Sequence, residues 1–250
     1  MNEAAQFYTG LVAEAYAALK AETFDPQRYA DFVEQAGQPA LEVGCGDGHP
    51  LLELCDLGLA VDGVDSSADM IARARVEAAS RGHRPTLVVA AMESMRLQRR
   101  YRSIYLAGPT FELLPDDETA LAALRSFHSH LQNGGTVMIP LWLPAPTPPE
   151  DLGRSRETTD EAGTTLRYTP LSETFDADGR TRRTRVRYER ITADGTRERV
   201  EKDWIIHAQT PATMRDLADR AGLHLLDVSP PAADLTGEAG EEFVIRLRRD

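Results

Sequence analysis

Gly44, Gly46 and Gly48 stand at alternate positions directly after a short apolar stretch. Glycines at such a site let the backbone turn tightly and approach a ligand closely, and a following helix offers free N–H groups. Their spacing is GxGxG, whereas dinucleotide-binding loops use GxGxxG. A plain strand-to-helix turn would use the same residues. Asp65 ends the next apolar stretch, Val61-Asp62-Gly63-Val64-Asp65. A carboxylate there can accept both hydroxyls of a ribose, because neighbouring strand tips share one crevice. Asp65, Ser66 or Ser67 can equally cap a following helix. Glu42 lies inside the first apolar stretch, where a carboxylate is costly unless paired, and this points to a ligand-organising role. Ala91, Met92 and Glu93 follow a third stretch. They can flank an adenine-like ring, with a backbone N–H or Glu93 at its polar edge; Met92 also suits ordinary core filling.

The elements that would position these residues follow from pattern. Residues 4–20 read as an Ala-rich helix with Phe7, Leu11, Ala15 and Leu19 on one face. Asp25-Pro26 starts a second helix that closes at Gly37. Strands are expected at 40–45, 60–65, 86–90, 103–107 and 136–142, with helices at 50–56, 68–80 and 116–131 between them. Such alternation predicts an α/β fold with a parallel, doubly wound sheet. A Pro-rich linker at 144–149 interrupts it. From 164 to 209 the period becomes two, and Asp178-Gly179 and Asp194-Gly195 predict hairpin turns. Three antiparallel strands are expected there, at 165–175, 181–192 and 196–208. A helix at 211–221 and strands at 223–228 and 243–247 complete the chain. The division is a core of 1–143 and 210–250 and a β insert of 150–209.

Composition narrows the partners. The formal charge is −12, from 28 basic and 40 acidic residues, which argues against nucleic acid, since phosphate neutralisation calls for a basic stripe. Arg180 to Arg190 alternates with other residues as a solvated strand face would. No apolar run approaches the roughly 20 residues of a membrane helix, and no secretory signal is visible at the start, so no membrane partner and a cytoplasmic location are expected. Cys45 and Cys55 alone do not make a zinc site, and no metal is expected.

Taken together, Leu41 to Gly48, Gly63-Val64-Asp65-Ser66-Ser67 with Met70, and Ala91-Met92 resemble motifs I, post-I and post-II of class I S-adenosylmethionine (SAM)-dependent methyltransferases. The resemblance spans about 40–142, with the last helix and two strands also in order. It implies a Rossmann-like seven-stranded sheet whose last strand is antiparallel, with SAM as cofactor. The Gly loop would approach the methionine part, Asp65 the ribose, and the third-strand tip the adenine. The cofactor set so implied is Tyr16, Tyr29, Glu42, Gly44, Cys45, Gly46, Asp65, Ser66, Met70, Ala91, Met92, Glu93 and Leu106.

Pro140-Leu141-Trp142-Leu143-Pro144, followed by a β insert, is similar to the deoxyamino-sugar N-methyltransferases of antibiotic pathways. Those enzymes modify nucleotide-linked amino sugars, and their N-terminal tyrosines are matched by Tyr16 and Tyr29. Glu112 aligns where some members carry a histidine after the fourth strand. An amine acceptor must lose a proton before it attacks a methyl group, and a nearby carboxylate can take it. Glu112 is therefore the catalytic candidate; a solvated helix-side acid is its other reading. Trp142 is expected to wall the acceptor site, with His207 facing into it and the insert covering it. The expected partner is a small-molecule acceptor, a nucleotide sugar above all. A small-molecule O-methyltransferase and an NAD-dependent oxidoreductase remain as alternatives.

Overall fold

The computed structural model describes residues 7–19, 25–230 and 241–250. The first helical stretch is interrupted where its pattern predicts continuity. Phe7 is helical, a bend and turn follow at 8–10, and α1 then runs over Leu11–Leu19. Gly10 takes φ +54° and donates its N–H to Asp69 Oδ2 at 2.7 Å, which ends helical continuity there. Residues 4–6 and 20 of the expected helix lie outside the described residues. The second helix forms as read: α2 (Pro26–Ala36) starts with the Asp25 carboxylate accepting the Gln27 N–H, and Gly37 closes it.

Five strands, β1 (Ala40–Val43), β2 (Val61–Asp65), β3 (Leu87–Val89), β4 (Tyr101–Tyr105) and β5 (Leu131–Trp142), alternate with α3 (Leu51–Asp56), α4 (Ala68–Ser80) and α5 (Asp117–His130). The insert contributes β6 (Arg156–Thr159), β7 (Thr165–Asp176), β8 (Thr181–Ile191) and β9 (Arg197–His207). The chain then returns through α6 (Pro211–Ala221), β10 (His224–Ser229) and β11 (Glu242–Arg248). The main sheet is seven-stranded, in the order β10-β11-β5-β4-β1-β2-β3. β1 to β5 pair in parallel, while β11 runs antiparallel to both β5 and β10. This is the Rossmann-like arrangement that the motifs implied.

Period-two alternation sends side chains to two cores. Leu41, Val43, Ile104, Val137, Ile139 and Ile245 face one cluster, beneath α5 and α6. Ala40, Val61, Tyr105, Met138 and Val244 face the other, beneath α2, α3 and α4. The β1–β2 register places Val43 opposite Val64, so the loops carrying Gly44 and Asp65 leave the sheet side by side.

The insert is a second, four-stranded antiparallel sheet in the order β6-β7-β8-β9. One strand more forms than the three expected: all four β6 residues are exposed, so no hydrophobic alternation marks it. The outer face carries cross-strand ion pairs, Arg183 and Arg185 with Asp203 at 3.1 Å and Arg187 with Glu201 at 2.8 Å. The inner face packs on α1, where Val186 and Tyr188 join Phe7, Leu11, Val12 and Ala15 in a third cluster. Arg182 breaks the reading of this stretch as a solvated arginine face, because it shares the buried side with Thr184, Val186 and Tyr188.

Candidate functional site: a cofactor cavity and an adjoining buried carboxyl

The C-terminal tips of β1, β2 and β3 open onto a cavity. Its walls are Tyr8, Tyr16, Val43, Gly44, Gly46, Asp65, Ser66, Met70, Ala90, Ala91, Met92, Glu93, Thr110, Leu113 and Leu114. Gly44 adopts φ +73°, and a Cβ there would sit 2.5 Å from Thr110 Cγ2. Gly46 adopts φ +53°, yet a Cβ there would meet no described atom within 4 Å. The Gly44 and Cys45 amides both donate to the Val64 carbonyl, at 2.7 and 3.1 Å, tying the loop to β2.

Asp65 is held by two backbone amides. Oδ2 accepts the Gly46 N–H at 2.9 Å and Oδ1 the Ser67 N–H at 2.7 Å. Burial pushes its pKa up and the two amides pull it down, leaving it above the ordinary carboxylate value. Ser67 caps α4 by accepting the Met70 N–H at 3.2 Å. The capping duty thus falls to Ser67, and Asp65 is left to face the cavity.

Nine of the expected cofactor residues line this space: Tyr16, Gly44, Gly46, Asp65, Ser66, Met70, Ala91, Met92 and Glu93. Tyr29, Glu42, Cys45 and Leu106 do not line it. Glu42 is wholly buried and accepts the Tyr105 phenol at 2.7 Å. Tyr29 stacks on Tyr105 at 5.4 Å and accepts the Gly108 N–H at 3.2 Å. The Cys45 thiol points at Gly63, and burial raises its pKa well above the usual thiol value. Leu106 belongs to the first core cluster. These four brace the strand tips from beneath.

Tyr8, Val43, Ala90, Thr110, Leu113 and Leu114 are walls that the sequence reading missed. Tyr8 packs edge-on against Tyr16 with centroids 5.0 Å apart. Its carbonyl accepts the Ser67 hydroxyl, and Lys202 Nζ donates to the Phe7 carbonyl at 2.7 Å. The turn at 7–10 is thus strapped between the core and the insert. The only sequence signal for Tyr8 was its aromatic type near Tyr16; the turn that brings the rings together carries no hydrophobic period.

Glu112 lies on a 3₁₀ turn, Thr110–Leu113, of which Thr110 and Leu113 face the cavity and Phe111 the core. It is fully buried, which overturns the solvated-acid reading. Oε2 accepts the Trp142 N–H and Oε1 the Gln209 N–H, each at 3.3 Å, so the carboxyl bridges the end of β5 and the end of the insert. Burial pushes its pKa well above the usual carboxylate value, against the pull of the two amides and Arg182. Trp142 is half-buried and stacks over Arg182 at 4.8 Å. His207 does not line the cofactor cavity. Its Nε2 contacts Asp117 Oδ1 at 3.0 Å in the first turn of α5, a link between insert and core. Among the described residues no group of three His, Cys, Asp or Glu is placed to hold a metal ion, and no helix is long and apolar enough to cross a membrane.

The cavity fits SAM. Glycine loop, carboxylate and apolar slot stand in the order its methionine, ribose and adenine parts require. Residues 40–135 match the family described as a methyltransferase domain. These residues form a methyltransferase domain. The NAD-dependent alternative falls with that match. The whole chain superposes on solved methyltransferases of the same fold. The CcbJ methyltransferase from Streptomyces caelestis is 21% identical, with TM-score 0.74 and coverage of 97% of this chain and 98% of that one. A SAM-dependent methyltransferase from Clostridium acetobutylicum is 15% identical, with TM-score 0.71 and coverage of 95% and 97%. The sugar N-methyltransferase KedS8 from Streptoalloteichus is 20% identical, with TM-score 0.68 and coverage of 97% and 89%. At these identities the likeness is one of fold. No curated protein matches the sequence.

Proposed function

We propose that this methyltransferase domain methylates the amine of a small polar metabolite, a nucleotide-linked amino sugar in natural-product biosynthesis. The observation that carries the reading is the position of Glu112, a buried carboxyl on the turn that also walls the cofactor cavity. SAM supplies the electrophilic methyl group when bound. The protein's own work is to orient the acceptor, exclude water and take a proton. In this reading Gly44 and Gly46 admit the methionine part, Asp65 and Ser66 hold the ribose, and Met70, Ala91, Met92 and Glu93 flank the adenine. Tyr8 and Tyr16 close the cavity from the N-terminal side. The Glu112 carboxylate accepts the proton that the acceptor nitrogen must lose, directly or through one water. Trp142 and the insert, residues 150–209, bound the acceptor side. A sugar N-methyltransferase of the same whole-chain fold supports the choice of acceptor.

The test is product analysis with methyl-labelled SAM and a panel of amino-sugar nucleotides beside their hydroxylated analogues. Label on nitrogen is expected. Label only on oxygen, or on no sugar nucleotide, retires the acceptor assignment and leaves the methyltransferase domain standing.

A further inference from the structure

Arg182 on β8 is a buried cation with too few partners. Its side chain is 8% exposed. A guanidinium carries five N–H donors, and a buried one ordinarily meets a carboxylate in a bidentate fork. Here Nη1 donates to the Ala145 carbonyl at 3.0 Å, and Nε has no hydrogen-bond partner among the described residues. Glu173 stands nearest, but its Oε2 is 3.9 Å from Nε, beyond hydrogen-bond range. That carboxylate is already engaged by the Thr147 amide and hydroxyl, each at 2.6 Å, and by the Thr184 hydroxyl at 2.8 Å.

Two indoles flank the guanidinium. Its carbon lies 4.8 Å from the Trp142 ring and 5.3 Å from the Trp204 ring. Cation–π contact offsets part of the cost of burying the charge. Both indole Nε1–H groups are buried and, among the described residues, lack an acceptor. A cation and two orphaned donors gathered in one place form a surplus of donors without acceptors. Buried polar groups are nearly always paired, so such a surplus suits a ligand rich in acceptor oxygens. The cluster lies beside Glu112: the residue that gives its N–H to the Glu112 carboxyl is Trp142 itself.

We infer that Arg182, held between Trp142 and Trp204, is the anchor for an anionic group on the methyl acceptor, a carboxylate or a phosphate. Glu112 and Arg182 then read opposite ends of one molecule, an amine and an acid joined by a short spacer. The assignment of the amine end rests on the proposed function; the anion end stands on the Arg182 cluster alone. A neutral amine lacking the acid would leave the guanidinium and both indole donors unsatisfied, so the same residues would discriminate against it.

Trp142 and Trp204 are the only tryptophans of the chain, so intrinsic fluorescence reports on this cluster. The experiment titrates pyrophosphate, phosphate or acetate into the full-length protein loaded with S-adenosylhomocysteine, with sodium chloride as the control at matched ionic strength. A saturable change beyond chloride is expected for at least one anion. A response to the phosphates assigns a phosphorylated acceptor, and a response to acetate a carboxylate. Arg182→Gln should weaken that binding by about ten-fold or more, with Arg182→Lys intermediate. Trp204→Phe, which keeps a ring but removes the N–H, should weaken it as read from Trp142, and it supplies the comparison if Arg182→Gln does not fold by circular dichroism. No saturable change with any anion, or wild-type affinity in the folded variants, would overturn the inference. Methyl transfer is not read here, so an acceptor methylated on oxygen leaves the anion site intact, and anion binding without amine methylation removes only the acceptor reading.

Discussion

The Gly46 amide donates to Asp65 Oδ2 at 2.9 Å, so one carboxylate ties the glycine loop after β1 to the tip of β2. Asp65 therefore shapes the cavity as well as facing it. Asp65→Asn keeps the size but removes the charge and turns one oxygen into a donor. The variant should remain folded and bind S-adenosylhomocysteine on the order of 10- to 100-fold more weakly, the equivalent of one charged hydrogen bond. Calorimetry measures this, and wild-type affinity in a folded variant would remove the ribose assignment.

Gly44 and Gly46 should respond differently to alanine. Both have positive φ, at a cost of roughly 1–2 kcal/mol for an L-residue. Only Gly44→Ala also drives a methyl to 2.5 Å from Thr110 Cγ2. Gly44→Ala should lose about 1–3 kcal/mol more stability than Gly46→Ala, the range for overpacking. Urea unfolding of the pair decides it, and equal losses would mean that Thr110 gives way freely.

Glu112 should leave a signature in the pH profile. Its carboxyl pKa is raised, because burial outweighs the two amides and Arg182. It therefore holds its proton at low pH and becomes a base only as pH climbs through the raised value, so turnover should rise with pH over that interval. Glu112→Gln should lower turnover by roughly 10²–10⁴-fold and abolish this step, with SAM affinity retained. Profiles of kcat on an acceptor from the panel test it; a step that persists in the variant belongs to the amine itself.

The strap at 7–10 and the helix behind it depend on the insert. Val186 is fully buried against α1. Val186→Ala should cost about 2–3 kcal/mol through lost burial and the space left behind. It should also loosen the Tyr8 and Tyr16 walls, raising both the S-adenosylhomocysteine Kd and amide exchange in residues 7–19. Faster exchange without a change in Kd would show that these walls contribute nothing to cofactor binding.

Local patterning determined the core of this protein. The order of parallel strands, the glycine loop, Asp65 at the second tip, the Met92 slot and both hairpins of the insert were legible, because periodicity, turn chemistry and strand-tip position act over a few residues. Tertiary packing decided the rest. Glu42 and Cys45 lie beside or within the glycine motif, yet both turn beneath the cavity. Strand alternation sends Glu42 to the face opposite Val43, while Cys45, past the end of β1 and next to Gly44 at φ +73°, turns with the loop toward Gly63. Ser67 rather than Asp65 caps α4, a choice among three adjacent polar residues that only geometry separates. Tyr8 reaches the cavity because Gly10 breaks the first helix. Arg182 looked like one more exposed arginine in an alternating strand. The side of β8 that is buried is set by α1 and the end of β5, elements distant in sequence, and no local pattern encodes which face of a two-sided polar strand a neighbour will cover.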